Sequence, residues 1–153
     1  MNIRIRNAEE EDYTAAESMM RQVHQMHADW RPDIFRYHEP VLPQELFEQA
    51  VKEKTFFLAE YEGQTAGILY IRYRHIEDPV LVTRNTIFVD TMAVDEQYRG
   101  RGIGHAFFDF LRELKRQKGF DGIELEVNAR NTAARRMYEE YGFTVESLNM
   151  ELL

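Results

Sequence analysis

The sequence predicts an α/β (α+β) domain in which helices flank a central mixed β-sheet, in the order β-α-α-β-β-β-α-β-α-β. Three patterns carry this prediction. Apolar residues recur at helical spacing over residues 103–114, and residues 86–94 form an apolar run rich in β-branched side chains. Short segments such as "NIRIR" alternate apolar and charged residues, as half-buried strands do.

In the first half of the chain, "NIRIR" predicts a strand, and Asn7 is expected to cap the helix that follows. Three prolines in the segment from Trp30 to Pro43 predict a loop or a broken helix. "PQELFEQAVKE" predicts a second helix with Pro43 in its first turn. Two apolar runs on either side of residues 62–64 then predict a β-hairpin.

In the second half, residues 86–94 predict a strand that is buried on both faces and interrupted by Asp90. The helix after it begins near Ile103 and is expected to end at Gly119. "GIELEV" predicts a strand with its isoleucine, leucine and valine inward and both glutamates outward. Asn131 is expected to cap the last helix, Gly142 to end it, and "FTVESLNMELL" to form a final strand.

Composition limits the class of protein. A chain of 153 residues fits one domain, residues 1–153, which can bury roughly 70% of its unfolded surface. The absence of cysteine, of a signal peptide and of a long apolar run predicts a soluble, cytoplasmic protein with no membrane partner. A net charge of −8 argues against a nucleic-acid partner and slightly favours cationic ligands.

The turn "QYRGRGIG" lies between a predicted strand and a predicted helix, where unpaired backbone N–H groups and the positive end of the helix dipole favour a phosphate. It lacks the Lys and Ser/Thr of a nucleotide P-loop. In either register, the last glycine of a dinucleotide fingerprint is replaced, by His105 or by Phe107. Both nucleotide patterns therefore fit poorly, although Glu124 and Glu126 keep the dinucleotide interpretation open.

Two blocks resemble the GNAT-type N-acetyltransferase superfamily. "VDTMAVDEQYRGRGIGHAFFDFL" is similar to its central motif R/Q-x-x-G-x-G/A, and "NARNTAARRMYEEYGF" resembles its second block. The resemblance implies a GNAT-like fold, acetyl-coenzyme A (acetyl-CoA) as cosubstrate, and a small-molecule or peptide amine as acceptor. It also implies a set of cofactor-binding residues: Met92, Ala93, Val94, Arg99, Gly100, Arg101, Gly102, Ile103, Gly104, Asn128, Asn131, Ala134 and Tyr138.

Two residues are candidates for proton transfer. The family position implies that Tyr138 hydrogen-bonds or protonates the departing thiolate, whose thiol has a pKa of roughly 8.5. Asp90 lies two residues before Met92 and is the candidate base for the amine, with a water relay as the alternative. Asp90 has a structural alternative as well, in which it caps a bulge or pairs with Arg72 or Arg74.

The acceptor side is predicted in the loop that contains His27, Trp30, Asp33 and Phe35, a region that the family uses in this way. Histidines there lack a convincing set of partner ligands, so no metal site is predicted. Only about ten residues follow Phe143, which leaves one wall of the acceptor site to be completed, for example by the partner in a homodimer. Two functions fit the sequence: an N-acetyltransferase that works by direct attack, and a noncatalytic acyl-CoA sensor or interaction module.

Overall fold

The computed structural model describes residues 2–153, which form a five-stranded sheet with helices on both faces. The strands are β1 (Ile3–Asn7), β2 (Phe56–Tyr61), β3 (Gln64–Asp78), β4 (Leu81–Val94) and β5 (Gly122–Leu125). The helices are α1 (Tyr13–Trp30), α2 (Gln44–Glu53), α3 (Ile103–Lys118) and α4 (Thr132–Tyr141). None of these helices is both long enough and apolar enough to cross a membrane.

The sheet has the order β1-β2-β3-β4-β5 and is mixed. The first three pairings are antiparallel, and β4 with β5 is parallel because α3 crosses over between them. One hydrophobic core packs between the sheet and α3, and the other packs between the opposite face and α1 and α2. This arrangement confirms the predicted α/β fold with a central mixed sheet.

The long amphipathic helix forms as its periodicity predicts. Ile103, Phe107 and Leu111 of α3 are fully buried against the sheet. Gly119 ends the helix with a φ of 66°, a left-handed conformation that glycine adopts without steric cost. Gly142 likewise follows the last residue of α4, as predicted. The apolar spacing of these segments was therefore sufficient to locate them.

The first helix begins later than predicted. Asn7 is the last residue of β1, where it pairs with Phe57, so it does not cap a helix. A 3₁₀ turn over Glu10–Asp12 comes first, and the backbone N–H of Glu9 donates to the Asp12 carboxylate at 2.8 Å. The prediction failed here because cross-strand pairing of Asn7 competes with its tendency to cap.

Two other strand predictions need correction. β4 begins at Leu81, five residues before Thr86. Its first residues pair with the end of β3, where Leu81 is opposite Asp78. On β5, Glu124 does not face solvent. Its side chain is 15% exposed and lies between the guanidinium groups of Arg74 and Arg84, at 3.9 and 3.8 Å.

The predicted final strand does not form. Phe143 packs against Phe108 and Tyr138, but residues 142–153 adopt no regular secondary structure. Within residues 2–153, α4 is therefore the last element of regular secondary structure, and β5 is an edge strand of the sheet. Apolar alternation alone does not make a strand, because a strand also needs a neighbour for its backbone.

Candidate active site

Strands β4 and β5 run side by side over four residue pairs and then separate. Pairing extends from Thr86 with Gly122 to Val89 with Leu125, where β5 ends, whereas β4 continues to Val94. Within the described residues, the last five residues of β4 therefore have a strand neighbour only on the β3 side. Met92, Ala93 and Val94 lie in this segment, where the open side of the backbone can pair with an extended ligand.

A β-bulge at Asp90 coincides with the separation of the strands. Val89 is opposite Ile71 and Thr91 is opposite Tyr70, so Asp90 is the extra residue of β4 between two paired positions. A bulge bends its strand and increases the local twist. It accordingly accounts for why β4 turns away from β5 at the residue where their pairing stops.

The Asp90 side chain is held by its neighbours. Its Oδ2 lies 3.2 Å from Nε of Arg72, and its Oδ1 accepts a hydrogen bond from the Thr91 hydroxyl at 3.1 Å. About a third of the side chain remains exposed. Of the structural alternatives considered for Asp90, the pair with Arg72 is present. Asp90 is itself the extra residue of the bulge, and its side-chain hydrogen bond comes from the Thr91 hydroxyl and not from the bulge backbone.

Tyr70 adjoins the bulge and was not identified from the sequence. Its ring stacks on Phe56 at 5.7 Å, and its pKa is raised by burial and then by the nearby charge of Asp90. The hydrophobic run of β3 gave no signal that Tyr70 would lie here, since only the register with β4 places it opposite Thr91. Tyr70 and Arg72 therefore lie beside Asp90 at the point where β4 separates from β5.

The glycine-rich turn leads from β4 into α3. Gly100 and Gly102 have φ values of 76° and 85°, which L side chains rarely adopt, so glycine is required by the path of the chain. No side chain within the described residues caps α3, and its first internal hydrogen bond runs from the Ala106 N–H to the Gly102 carbonyl at 3.0 Å. The N–H groups of the first turn are consequently available to an anion.

Gly104 serves a different purpose in the same motif. A Cβ atom at this position would lie 3.1 Å from the sulfur of Met137, so the absence of a side chain allows α4 to pack closely on α3. Its backbone still belongs to the uncapped first turn beside Ile103. The motif thus combines two glycines for backbone conformation with one for helix packing.

Two arginines add positive charge to this helix end. Arg99 and Arg101 are exposed, and no carboxylate in residues 2–153 lies within 4.0 Å of either guanidinium group. The Arg101 guanidinium lies over the rings of Tyr61 and Tyr98, with centroid distances of 5.1 and 5.9 Å. Uncompensated positive charge beside a helix N-terminus favours a bound polyanion.

The asparagines between β5 and α4 shape the turn that starts α4. Asn131 caps α4 as predicted, since its side-chain oxygen accepts from the Ala134 N–H at 3.2 Å. Asn128 accepts from the Arg130 N–H at 2.9 Å. Both amide oxygens are used within the turn, so the side-chain NH₂ groups are what these residues can offer to a ligand.

Tyr138 and Tyr141 lie on the same helix in different environments. The Tyr141 hydroxyl donates to Asp109 on α3 at 2.6 Å, which ties α4 to α3. The Tyr138 ring packs against Phe108 and Phe143, and burial raises its pKa. No described protein group hydrogen-bonds the Tyr138 hydroxyl. Tyr138 is therefore a protonated phenol whose hydroxyl remains available to a ligand.

The predicted acceptor residues divide into an aromatic cluster and a salt bridge. His27, Trp30 and Phe35 pack together, with the His27 ring 5.8 Å from Trp30 and 5.2 Å from Phe35. Burial, followed by the charge of His24, lowers the pKa of His27, whose Nδ1 is buried without a described partner. Asp33 instead forms a two-pronged salt bridge with Arg31, at 2.9 and 2.8 Å, which lowers its pKa.

The other histidines near this loop bond to backbone oxygens. His24 Nε2 lies 2.6 Å from the carbonyl oxygen of Arg36, and His38 Nδ1 lies 3.0 Å from that of Pro40. Within residues 2–153, no three His, Cys, Asp or Glu side chains come together in a way that could hold a metal ion. These histidines fix the path of the loop.

Residues 21–143 of the chain match the model of the acetyltransferase (GNAT) family. The chain belongs to the acetyltransferase (GNAT) family. The match confirms the family resemblance carried by the two sequence blocks. It also extends upstream of those blocks, where the sequence agreed with the family only in element order.

Two curated proteins illustrate the relationship in sequence. Mycothiol acetyltransferase from Beutenbergia cavernae is 42% identical over 53 residues, which cover 35% of this chain and 18% of that protein. N-acetylaspartate synthetase from Rattus norvegicus is 32% identical over 88 residues, which cover 58% and 27%. This GNAT chain thus spans less than a third of the length of either relative.

Solved structures match almost the whole chain. A mutant form of the BH1408 protein from Bacillus halodurans has a TM-score of 0.92 and 29% identity, covering 98% of both chains. AAC(6')-Iy was solved in complex with the bisubstrate analogue CoA-S-monomethyl-acetylneamine. It has a TM-score of 0.72 at 14% identity and covers 100% of this chain and 98% of its own. At this low identity, the similarity to AAC(6')-Iy shows only that the two proteins share a fold.

Proposed function

We propose that this protein is an N-acetyltransferase that moves the acetyl group of acetyl-CoA to a primary amine by direct attack. The observation that carries the proposal is the open side of β4 after Asp90, which leads into the uncapped N-terminus of α3. An extended arm that ends in a pyrophosphate is complementary to this succession of unpaired strand and anion-binding turn. The mechanism, the acceptor class and the site roles all belong to this proposal.

The donor lies along the backbone in this proposal. Residues 92–94 pair with the pantetheine arm as though it were an added strand, and the N–H groups of residues 99–104 bind the pyrophosphate. Arg99 and Arg101 supply the charge that balances it. The NH₂ groups of Asn128 and Asn131 line the same path, and a backbone N–H near Met92 stabilises the oxyanion of the thioester.

Tyr138 acts on the leaving group. The amine nitrogen attacks the thioester carbon, the carbon–sulfur bond breaks, and the sulfur takes a proton or a hydrogen bond from the Tyr138 hydroxyl. Burial raises the pKa of Tyr138, which keeps the phenol protonated at neutral pH and therefore able to donate. The hydroxyl makes no hydrogen bond within the described protein that the reaction would have to break.

Asp90 receives the proton of the amine in this proposal, directly or through water. A lysine-like amine near pKa 10.4 is neutral in only about one molecule in 2,500 at pH 7, so such an acceptor gains from a nearby carboxylate. The exposed third of Asp90 allows the approach of water or amine, while Arg72 fixes the direction of the carboxylate. His27, Trp30 and Phe35 form an apolar surface suited to the carbon skeleton of an amine.

A thermal-shift comparison tests the donor. Acetyl-CoA should raise the melting temperature, whereas NAD and ATP at the same concentration should not, because only CoA carries an arm that can pair with residues 92–94. A larger shift with NAD or ATP contradicts the donor assignment. A matched titration with desulfo-CoA separates binding of the arm from contact with the sulfur.

An acetylation screen over polyamines, amino acids, aminoglycosides and N-terminal peptides tests catalysis and acceptor class together. Release of free CoA should depend on one class of amine, and the product should carry one additional acetyl group per reacting amine. Binding of acetyl-CoA without turnover on any amine would instead support the noncatalytic sensor. The two experiments therefore fail independently of each other.

A further inference from the structure

Two arginines of β3 lie over one phenylalanine of β4. Among residues 2–153, Phe88 is the one buried apolar residue that belongs to neither hydrophobic core. The guanidinium groups of Arg72 and Arg74 lie over its ring, with distances to the centroid of 4.9 and 4.5 Å. Phe88 is therefore a platform on which two cations lie side by side.

A third arginine completes the arginine patch (Arg72, Arg74 and Arg84). The Arg84 guanidinium lies beside Gly122 of β5, where a Cβ atom would be 3.3 Å from Nη2, so the absence of a side chain leaves room for this group. Arg74 and Arg84 share the single carboxylate of Glu124, at 3.9 and 3.8 Å. Both distances are longer than a hydrogen bond. Two cations thus face one carboxylate that satisfies neither of them.

The patch presents its donors to solvent. The side chains of Arg72, Arg74 and Arg84 are 56%, 45% and 38% exposed, whereas that of Glu124 is 15% exposed. Each guanidinium carries five N–H donors in a fixed fork, and stacking on an aromatic ring holds its plane while its edge stays available. A carboxylate of a ligand accepts two parallel hydrogen bonds from such an edge. The patch is consequently suited to a carboxylate that approaches from the solvent side.

The patch is continuous with Asp90. Arg72 contacts the Asp90 carboxylate at 3.2 Å and lies over the same ring as Arg74. Arg72 and Arg74 are two residues apart on β3, so they lie on one face of the sheet and about 7 Å apart along the strand. In the proposed function, Asp90 receives the proton of the acceptor amine. An acceptor whose amine lies at Asp90 therefore has the patch directly beside it.

We infer that the acceptor amine carries a carboxylate, which the arginine patch binds while the amine lies at Asp90. The inference rests on the proposed N-acetyltransferase function and adds the substrate class to it. A separation of about 7 Å corresponds to about two residues of extended peptide, so a dipeptide or an ω-amino acid of equal length fits. A polyamine would instead bring positive charge to a positive surface. The patch thus reverses, at this site, the preference for cations that the net charge of −8 suggests.

Paired acceptors test the carboxylate by kinetics. Glycylglycine and 6-aminohexanoate are compared with their primary amides, which keep the amine and the chain but lack the negative charge. The carboxylate of each pair should have a kcat/KM about tenfold higher or more, because a hydrogen bond between charged groups is worth about a factor of ten in binding. A higher kcat/KM for the amides, or for a polyamine, would overturn the inference while leaving the acetyltransferase function intact.

Binding of the acetylated products tests the patch without turnover. Calorimetric titration with N-acetyl-6-aminohexanoate and with its amide should show tighter binding of the carboxylate to wild type. Arg74→Gln and Arg84→Gln should each reduce that preference about tenfold, and Arg74→Lys should keep part of it because the charge remains. Arg4→Gln is the matched control, since Arg4 on the far edge strand β1 has a comparable ion pair with Glu60 at 3.7 Å, and it should keep the wild-type preference.

The two measurements separate the inference from the function on which it rests. Equal binding of the two products to wild type, or a preference that both glutamine variants retain while urea denaturation shows them folded, would overturn the carboxylate site. If no amine is acetylated but the carboxylate product still binds through Arg74 and Arg84, the proposed function fails and the carboxylate site stands.

Discussion

Replacement of Tyr138 by phenylalanine should separate catalysis from folding. The substitution removes one hydroxyl and keeps the ring contacts with Phe108 and Phe143. Because no described protein group hydrogen-bonds that hydroxyl, the free energy of unfolding should change by less than about 0.5 kcal/mol. Loss of a positioned acid costs about 10²–10⁴-fold in rate, and a thiolate is a good leaving group, so we expect a fall in kcat of about 10²-fold.

Tyr141→Phe provides the matched control on the same helix. It removes the hydrogen bond that Tyr141 donates to Asp109 at 2.6 Å. Asp109 is exposed, so the loss should be about 1 kcal/mol, which lowers the melting temperature of a chain of this size by about 2–4 °C. The same substitution should leave kcat within about twofold of wild type, because the hydroxyl of Tyr141 is engaged with α3.

The assay combines steady-state release of CoA with urea denaturation and a titration of acetyl-CoA binding. Tyr138→Phe should lower kcat while the affinity for acetyl-CoA stays within about threefold, since a leaving-group contact strengthens in the transition state. If Tyr138→Phe lost stability and kept its rate while Tyr141→Phe lost its rate, the assignment of the acid would be refuted. Equal kinetic effects of the two variants would refute it as well.

Three further predictions concern the bulge, the glycine-rich turn and the acceptor loop. Asp90→Asn should reduce kcat/KM most below pH 7, where neutral amine is scarcest; pH–rate profiles check this, and a pH-independent loss would assign Asp90 to the bulge alone. Gly104→Ala should cost up to about 2 kcal/mol of unfolding free energy, because its Cβ would lie 3.1 Å from the Met137 sulfur and this crowding outweighs the gain of about 1 kcal/mol in helix propensity. Met137→Ala in the same chain should make the combined loss smaller than the sum of the two single losses in urea denaturation, and strict additivity would contradict the contact. The pKa of His27 is lowered in the folded state, so protons bind the unfolded chain more readily, and stability should fall as the pH drops below about 6.5. Urea denaturation at pH 7.5 and pH 5.5 measures how much unfolding free energy is lost on acidification, and this loss should be smaller for His27→Gln than for wild type. If the two proteins lost the same amount, groups other than His27 would be responsible.

The sequence by itself determined the elements whose signals are local. The apolar spacing of α3, the turn glycine Gly119 and the cap residue Asn131 each act over a few residues, and the structure has them where the pattern predicted. The family could also be identified from sequence, because the backbone conformation of the glycine-rich turn and the packing of α4 restrict which residue types fit within these two short blocks. Gly100 and Gly102 satisfy the first restriction and Gly104 the second.

Only the tertiary structure decided the features that depend on pairing between distant segments. Asp90 is the extra residue of a bulge because β3 and β4 shift register there, and the sequence left that bulge as one of several alternatives since the register depends on how two strands pair. Glu124 is 15% exposed and lies between Arg74 of β3 and Arg84 of β4, which only the pairing of the three strands brings to it.

The predicted final strand shows the same limit at the end of the chain. Its alternation was visible in the sequence, but a strand also needs a partner for its backbone, and within residues 2–153 the segment after Phe143 pairs with no strand. Local pattern therefore determined what each segment of this protein can form, and long-range pairing decided where β4 opens and where the last segment remains unpaired.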